Sequence, residues 1–293
     1  MLYEHLTIQL GHAVDSEARI YIHAHDDAEI VSIQGRLRGP QCHYARTLAA
    51  EHRIEQLTGK RNQKFLAQGL ITDPCYWTPP LPFQYELQLE LQDASGEKHA
   101  LKTLIGLSRR GAEGRHLRLE RRRSVLRGAQ VSLATPDDLS AARLAETALL
   151  VDAPHAELCS EASRLGVPLV VDLRGSDAYL AQQQRLTWCP AMLIALLNPE
   201  QLRGAWRTSS LLAQSISTST SELEAATADC DLYAIELSPD ESPPAWLATC
   251  NKPVLAIRRG ESHADLSAAR AGCDRLQSDL APQFDFSGYF VAP

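Results

Sequence analysis

The sequence of 293 residues has no run of 18 apolar residues, no basic segment leading into an apolar stretch at its start, and no Cys-x-x-Cys pair. The first two absences argue against a membrane span and a secretory leader, so a cytoplasmic setting without a membrane partner is expected. Its seven cysteines (42, 75, 159, 189, 230, 250 and 273) are odd in number and widely spaced. That pattern suits small buried apolar residues in a reducing compartment better than bridges or zinc ligands. Basic charge is also short: 29 Lys and Arg face 36 Asp and Glu, and the net charge of −7 has the wrong sign for neutralising nucleic acid phosphates. Aromatic residues make up only 6% of the chain, which leaves few flat platforms for stacking on sugars. No dinucleotide or phosphate-binding glycine loop occurs, so no cofactor is called for. Ser132, Ser215 and Ser217 lack a Gly-x-Ser-x-Gly elbow, and serine hydrolysis has no support.

What is present is ordinary globular material. Hydrophobic residues make up 44% and charged residues 22%, which excludes disordered and collagen-like classes. The length is about twice that of a typical domain, so two domains are expected. Periodicity divides the chain accordingly. Up to about residue 110 the apolar residues alternate, as in Arg19-Ile20-Tyr21-Ile22-His23-Ala24-His25 and Tyr85-Glu86-Leu87-Gln88-Leu89-Glu90-Leu91, so each strand buries one face. His99-Ala100-Leu101-Lys102-Thr103-Leu104-Ile105 follows, after a turn over Gln92-Asp93-Ala94-Ser95-Gly96-Glu97. These strands, without a convincing helix, predict an immunoglobulin-like β-sandwich over residues 1–112.

From Leu126 the rhythm changes to short apolar runs separated by helical stretches. The runs are 126–133, 148–151, 168–172, 191–197, 211–216, 232–237, 254–257 and 286–291. Helices are predicted between them, for example Glu157 to Leu165 and Ser262 to Leu280, each with an apolar stripe. Continuous apolar strands alternating with amphipathic helices indicate a parallel sheet covered by helices, and eight repeats predict a compact (β/α)₈ TIM barrel over residues 113–293. About 21 residues per repeat is lean against the roughly 250 residues of a typical barrel, so little chain remains for the loops that build barrel active sites. Thr135-Pro136-Asp137-Asp138, Ser238-Pro239-Asp240-Glu241 and Ser262-His263-Ala264-Asp265 read as helix starts set directly behind strands.

Two segments at the junction carry a resemblance. Cys75-Tyr76-Trp77-Thr78-Pro79-Pro80-Leu81-Pro82-Phe83-Gln84-Tyr85 resembles the W-S/T-P-x-x-P-x-x-Y segment of glycoside hydrolase family 2. Gly106-Leu107-Ser108-Arg109-Arg110, with the stretch from Leu117 to Gly128, resembles that family's hinge into its first barrel strand. The family places a sandwich before a catalytic barrel, in agreement with the periodicity, although its N-terminal jelly roll has no counterpart here. The resemblance implies two catalytic carboxylates flanking a glycosidic bond. Glu200 falls on the family's acid/base, but the Gly-Asn pair before it is replaced by Asn198-Pro199. Asn198, Pro199 and Glu200 read equally as a helix N-cap, N1 and N2. The family's nucleophile falls on Arg258, whose guanidinium can neither attack an anomeric carbon nor act as a base. Leu173 replaces an expected acid, and the second strand ends Asp152-Ala153-Pro154-His155 without the family's Arg.

The remaining candidates at strand ends are Glu236, a possible substitute acid or a partner for Arg258 or Arg174, together with Asp152 and Asp172 as binding groups alongside Asn198. His23 and His25, followed by Asp26-Asp27, have a spacing able to chelate a metal, but no third ligand stands at a defined spacing and a polar outer strand face explains them better. Arg115, Arg118, Arg121, Arg122, Arg123 and Arg127 read as a solvated strand and turn. Trp77, Trp188, Trp206 and Trp246 lie away from the barrel mouth, leaving Tyr289 and Phe290 as the aromatics closest to its interior. The expectation is a glycosidase-like protein that has lost hydrolysis and serves as a scaffold or binding protein for a carbohydrate or protein partner. The alternative is an active carbohydrate hydrolase that uses Glu200 with a rearranged second carboxylate.

Overall fold

The computed structural model describes residues 6–24, 30–57, 66–205, 210–226 and 229–293. Seven antiparallel strands form the first unit: β1 (Leu6–Ala13), β2 (Glu17–Ala24), β3 (Ile30–Gln41), β4 (Ala50–Gln56), β5 (Ala67–Thr72), β6 (Gln84–Asp93) and β7 (Lys98–Ile105). They hydrogen-bond in the order β1-β2-β5-β4-β3-β6-β7. The expected sandwich is thus a single sheet curled around one core, made of the inward residues of the alternating strands: Ile20, Ile22, Ile33, Leu37, Ile54, Tyr85, Leu87 and Leu89. A three-stranded antiparallel sheet follows, from β8 (Arg110–Glu113), β9 (His116–Leu119) and β10 (Arg122–Ser124). Glu120 and Arg121, both at positive φ, make the two-residue turn between β9 and β10.

Eight parallel strands then close into a barrel: β11 (Leu126–Gln130), β12 (Ala148–Asp152), β13 (Leu169–Asp172), β14 (Met192–Leu197), β15 (Leu211–Ile216), β16 (Leu232–Leu237), β17 (Val254–Arg258) and β18 (Gly288–Val291). All eight strands expected from the apolar runs are there, with β11 ending at Gln130 rather than Leu133. The connecting helices are α1 (Pro136–Leu144), α2 (Ala156–Leu165), α3 (Tyr179–Arg185), α4 (Pro199–Leu202), α5 (Glu222–Ala225) and α6 (Leu266–Leu280), with a 3-10 turn over Ala245–Ala248. The lean repeat shows in α4, α5 and the 3-10 turn, each a single turn long. Among the described residues no helix is long and apolar enough to cross a membrane.

Of the three expected helix starts, Thr135 caps α1 with a reciprocal capping box to Asp138. The other two differ. Ser238 and Glu241 exchange similar bonds, but no helix follows, because Pro243 and Pro244 remove backbone donors and turn the preceding residues away from helical dihedrals. The last helix begins at Leu266 rather than Ser262, since it is the Asp265 side chain that accepts from the N–H of Ala268.

Strand register decides which residues line the barrel. Gly128 pairs with Phe290, Phe290 with Ile257, and Leu255 with Gly288, so these residues share one face. Val291 has the opposite parity and lies against Gly272 of α6, outside the barrel, so Phe290 points inward. Carried around the ring, the inward set below the mouth is Leu150, Val170, Ile194, Leu196, Ala213, Ala234, Ile257 and Phe290, every one buried. The interior is therefore a packed apolar core. Of the two expected interior aromatics, Phe290 fills it, whereas Tyr289 has the outward parity and its hydroxyl accepts from the Phe286 N–H at 3.3 Å.

The curled sheet sits against the end of the barrel where the strands begin. Trp77 joins the barrel core and donates its indole N–H to the Ser163 carbonyl at 2.8 Å. Arg110, partly buried, donates to the carbonyls of Pro190 and Met192 at the start of β14. Arg143 reaches from α1 to the Pro79 and Pro80 carbonyls. The Trp-Thr-Pro-Pro segment is thus the docking element between the two units.

A methyl group on Gly128 would overlap the Phe290 ring. Gly128→Ala is expected to destabilise the fold by about 1–3 kcal/mol in chemical denaturation, as an overpacked core does. Combining it with Phe290→Leu should recover part of the loss, a coupling that independent sites would not show.

Candidate functional site

Active sites of (β/α)₈ barrels form where the strands end, from groups that those ends aim inward. Continuing the inward face two residues further along each strand gives Gln130 on β11, Asp152 on β12, Asp172 on β13, Ser215 on β15 and Glu236 on β16. Arg174, two residues past Asp172, and Arg259, two past Ile257, continue the same face. These strands turn from apolar inward residues to polar ones at this level, while β14 keeps the apolar Leu196 opposite Asp172. The mouth therefore carries a ring of polar side chains contributed by six strands.

The ring is internally satisfied. Arg174 grips Asp172 in fork geometry, with Nε to Oδ1 at 2.9 Å and Nη2 to Oδ2 at 2.5 Å, and donates through Nη1 to the Ser215 hydroxyl at 2.9 Å. Its Nη2 also lies 2.7 Å from Oε1 of Glu236. Arg259 takes Glu236 from the other side, Nη2 to Oε1 at 2.7 Å and Nε to Oε2 at 3.2 Å, and donates to Gln130 Oε1. Glu236 is thus held between two guanidiniums. Asn198, at the end of β14, donates to the Arg174 carbonyl at 3.3 Å and steadies the loop that carries that guanidinium.

Electrostatics follow from this geometry. Burial alone would raise the Glu236 carboxyl, but the bonds to Arg259 and the charge of Arg174 overcome it and hold the group below the usual glutamate range. Burial likewise opposes the charge on Arg174, and the carboxylates of Asp172 and Glu236 outweigh it, so its pKa is raised. Asp152 goes the other way: partial burial and then the nearby charge of Asp172 raise it, with Arg259, Arg174 and Gln130 offsetting only part.

The candidates from the sequence separate into two groups. Asp152, Asp172, Asn198 and Glu236 converge on the mouth. Glu200 does not join the ring: it is exposed in the first turn of α4, where Asn198 and Gln201 form a capping box. Arg258 has the outward parity of Val291 and donates to the Pro239 carbonyl at 3.2 Å. The partner of Glu236 on β17 is therefore Arg259 and not Arg258. Arg259 and Gln130 escaped the sequence reading because the family alignment put attention on Arg258. The available signal was strand alternation, since Leu255 and Ile257 fix the parity of residue 259. Of the possible chelating pair, His23 lies on β2, and His25, Asp26 and Asp27 fall outside the described residues, as does Trp206. Trp188 packs between both cores, and Trp246 donates to the Thr220 carbonyl outside the barrel. The arginine cluster is largely committed to carboxylates: Arg118 pairs with Glu113, Arg121 with Asp15, Arg123 with Asp285 and Arg127 with Asp274. All seven cysteines are free thiols, five of them buried.

No family model matches the chain, and no curated protein matches it either. Solved structures do. A β-glucuronidase from Parabacteroides merdae aligns over 99% of this chain and 47% of its own, with a TM-score of 0.62 at 13% identity. A β-glucuronidase from Ruminococcus gnavus, in complex with D-glucaro 1,5-lactone, aligns over 98% and 60%, with a TM-score of 0.64 at 10% identity. A glycosyl hydrolase family 2 member from Bacteroides cellulosilyticus aligns over 99% and 43%, with a TM-score of 0.65 at 12% identity. The chain has the fold of the family 2 β-glucuronidases over nearly its whole length, and it spans about half the length of these structures.

Glu236→Gln leaves two half-buried guanidiniums short of a counter-charge. A loss of about 1–3 kcal/mol is expected at pH 7, less than for a fully buried pair because the mouth is partly wetted. Because the folded carboxyl is lowered, this contribution is full above the ordinary value of 4.5 and fades as pH falls through the folded value, so mutant and wild type should converge in acid. Asp152→Asn has the opposite sign. The raised carboxyl favours folding below its ordinary value of 3.8 and loses that advantage as pH rises, so the variant should melt above wild type at pH 7 but not at pH 3 in calorimetry.

Proposed function

We propose that this protein is a glycosidase-like scaffold or binding protein that does not hydrolyse glycosides. The carrying observation is the clamp on Glu236. A retaining or inverting glycosidase needs two carboxyl groups free to face a sugar from opposite sides. Here the inward acid of β16 is bound by Arg174 and Arg259, and the acid of β13 is forked by Arg174. The inward side chain that follows β17 is a guanidinium, which is permanently protonated and is neither nucleophile nor base. Glu200 stands apart on α4 as a first-turn acid. Of the described tryptophans, Trp77 docks at the far end of the barrel, Trp188 packs between the two cores and Trp246 donates to the Thr220 carbonyl outside the barrel.

A second reading has one observation in its favour. Asp152 is raised while Glu236 is lowered, and a pair of carboxyl groups driven apart in this way is how glycosidases divide the acid and nucleophile roles. Under that reading the chain is an active carbohydrate hydrolase with rearranged acids.

One assay separates the two. Purified protein is incubated with the 4-nitrophenyl β-glycosides of glucuronic acid, galactose, glucose and mannose, and nitrophenol release is compared with buffer alone. No release above background is expected. Release that disappears in Glu200→Gln, or in Asp152→Asn or Glu236→Gln, would overturn the scaffold reading and assign the acids.

A further inference from the structure

We propose that the tip of the β6–β7 hairpin is a binding site for a divalent first-row transition cation of the Zn²⁺ class, held by Asp93, Glu97 and His99. Cross-strand register produces the site. Gln92 pairs with Lys98 and Leu91 with His99, which sets Asp93 opposite Glu97 at the end of the ladder. Directly paired residues share a face, and so do residues two apart on one strand. Asp93, Glu97 and His99 therefore project from the same side of the hairpin, while Lys98, the basic residue of this turn, projects from the other. One ligand atom from each of the three lies within 4.8 Å of those from the other two.

Asp93 divides its oxygens between two tasks. Oδ1 accepts from the Ser95 N–H at 2.9 Å, the Ser95 hydroxyl at 2.6 Å and the Glu97 N–H at 3.0 Å, which fixes the turn. Oδ2 pairs with His99 Nε2 at 3.1 Å, and a cation bound here would take the place of the proton between them. Zn–O and Zn–N bonds of about 2.0–2.2 Å, with angles between octahedral and tetrahedral values, require donor separations of about 2.9–3.4 Å. The two atoms are already at that spacing. Two carboxylates directly opposite each other repel, and a cation between them converts that cost into binding. The imidazole selects zinc, cobalt or nickel over calcium and magnesium, which prefer all-oxygen shells. Three protein ligands leave a position for water, so the bound ion is exchangeable.

The test is isothermal titration of the full chain with ZnCl₂, repeated with MgCl₂. The variants are Glu97→Gln and His99→Gln, which keep the Asp93 bonds that fold the turn. Circular dichroism melts confirm that both variants remain folded. One Zn²⁺ per chain with micromolar Kd is expected, no heat from Mg²⁺, and affinity weakened about tenfold or more in each variant. Binding no tighter than millimolar in the wild type would overturn the proposal. So would wild-type affinity in either variant, which would place the ion elsewhere, for instance on a cysteine.

Discussion

The barrel mouth is governed by one interaction, the gripping of Glu236 by Arg174 and Arg259. A carboxylate placed on the inward face at the end of a strand is costly unless its charge is met, and here two guanidiniums meet it from β13 and β17. Their own demands pull in Asp172, Ser215 and Gln130. Once Arg174 and Arg259 are counted, every polar group at this level has a specific partner or a specific neighbour. Short loops explain why side chains do this work. With about 21 residues per repeat there is no length for a lid, and the mouth is covered by what the strand ends themselves present.

The two ends of the barrel have separate duties. At the end where strands begin, Trp77, Arg110 and Arg143 fasten the curled sheet by hydrogen bonds to main-chain carbonyls. The Ser163, Pro190 and Met192 carbonyls lie near the end of α2 and the start of β14, and those of Pro79 and Pro80 in the docking segment, backbone groups that would otherwise need water. At the other end the polar ring sits above a dry interior. Between them Phe290, admitted by Gly128 and Gly288, is buried in the packed barrel interior.

Much of this was legible in the chain itself. Alternation found the sheet strands, and continuous apolar runs found all eight barrel strands, because burial of one face or of both faces leaves different periods. The capping pattern at Thr135 was readable because everything it needs is local. The same pattern at Ser238 misled, because Pro243 and Pro244, just downstream, decide whether a helix can continue. At the mouth, Glu236 stood out as an acid interrupting an apolar run. Its true partner did not, since Arg258 and Arg259 are adjacent in sequence and point to opposite sides, and only the parity set by Leu255 and Ile257 tells them apart. The grouping of Asp93, Glu97 and His99 was hidden for a related reason: it exists only once the hairpin register is known.

The clamp also bears on how the barrel comes together. Divide the eight strands into a first four and a last four: Asp172, Arg174 and Gln130 belong to the first half, and Ser215, Glu236 and Arg259 to the second. Every bond from Arg174 to Ser215 or Glu236, and from Arg259 to Gln130, crosses that division. Each half keeps one ion pair of its own, Asp172 with Arg174 and Glu236 with Arg259, but the remaining bonds of the ring form only when the circle of strands is complete. Closing the circle of strands and completing the polar ring are thus coupled, and the cross-half bonds add to the stability of the closed barrel rather than to that of either half alone.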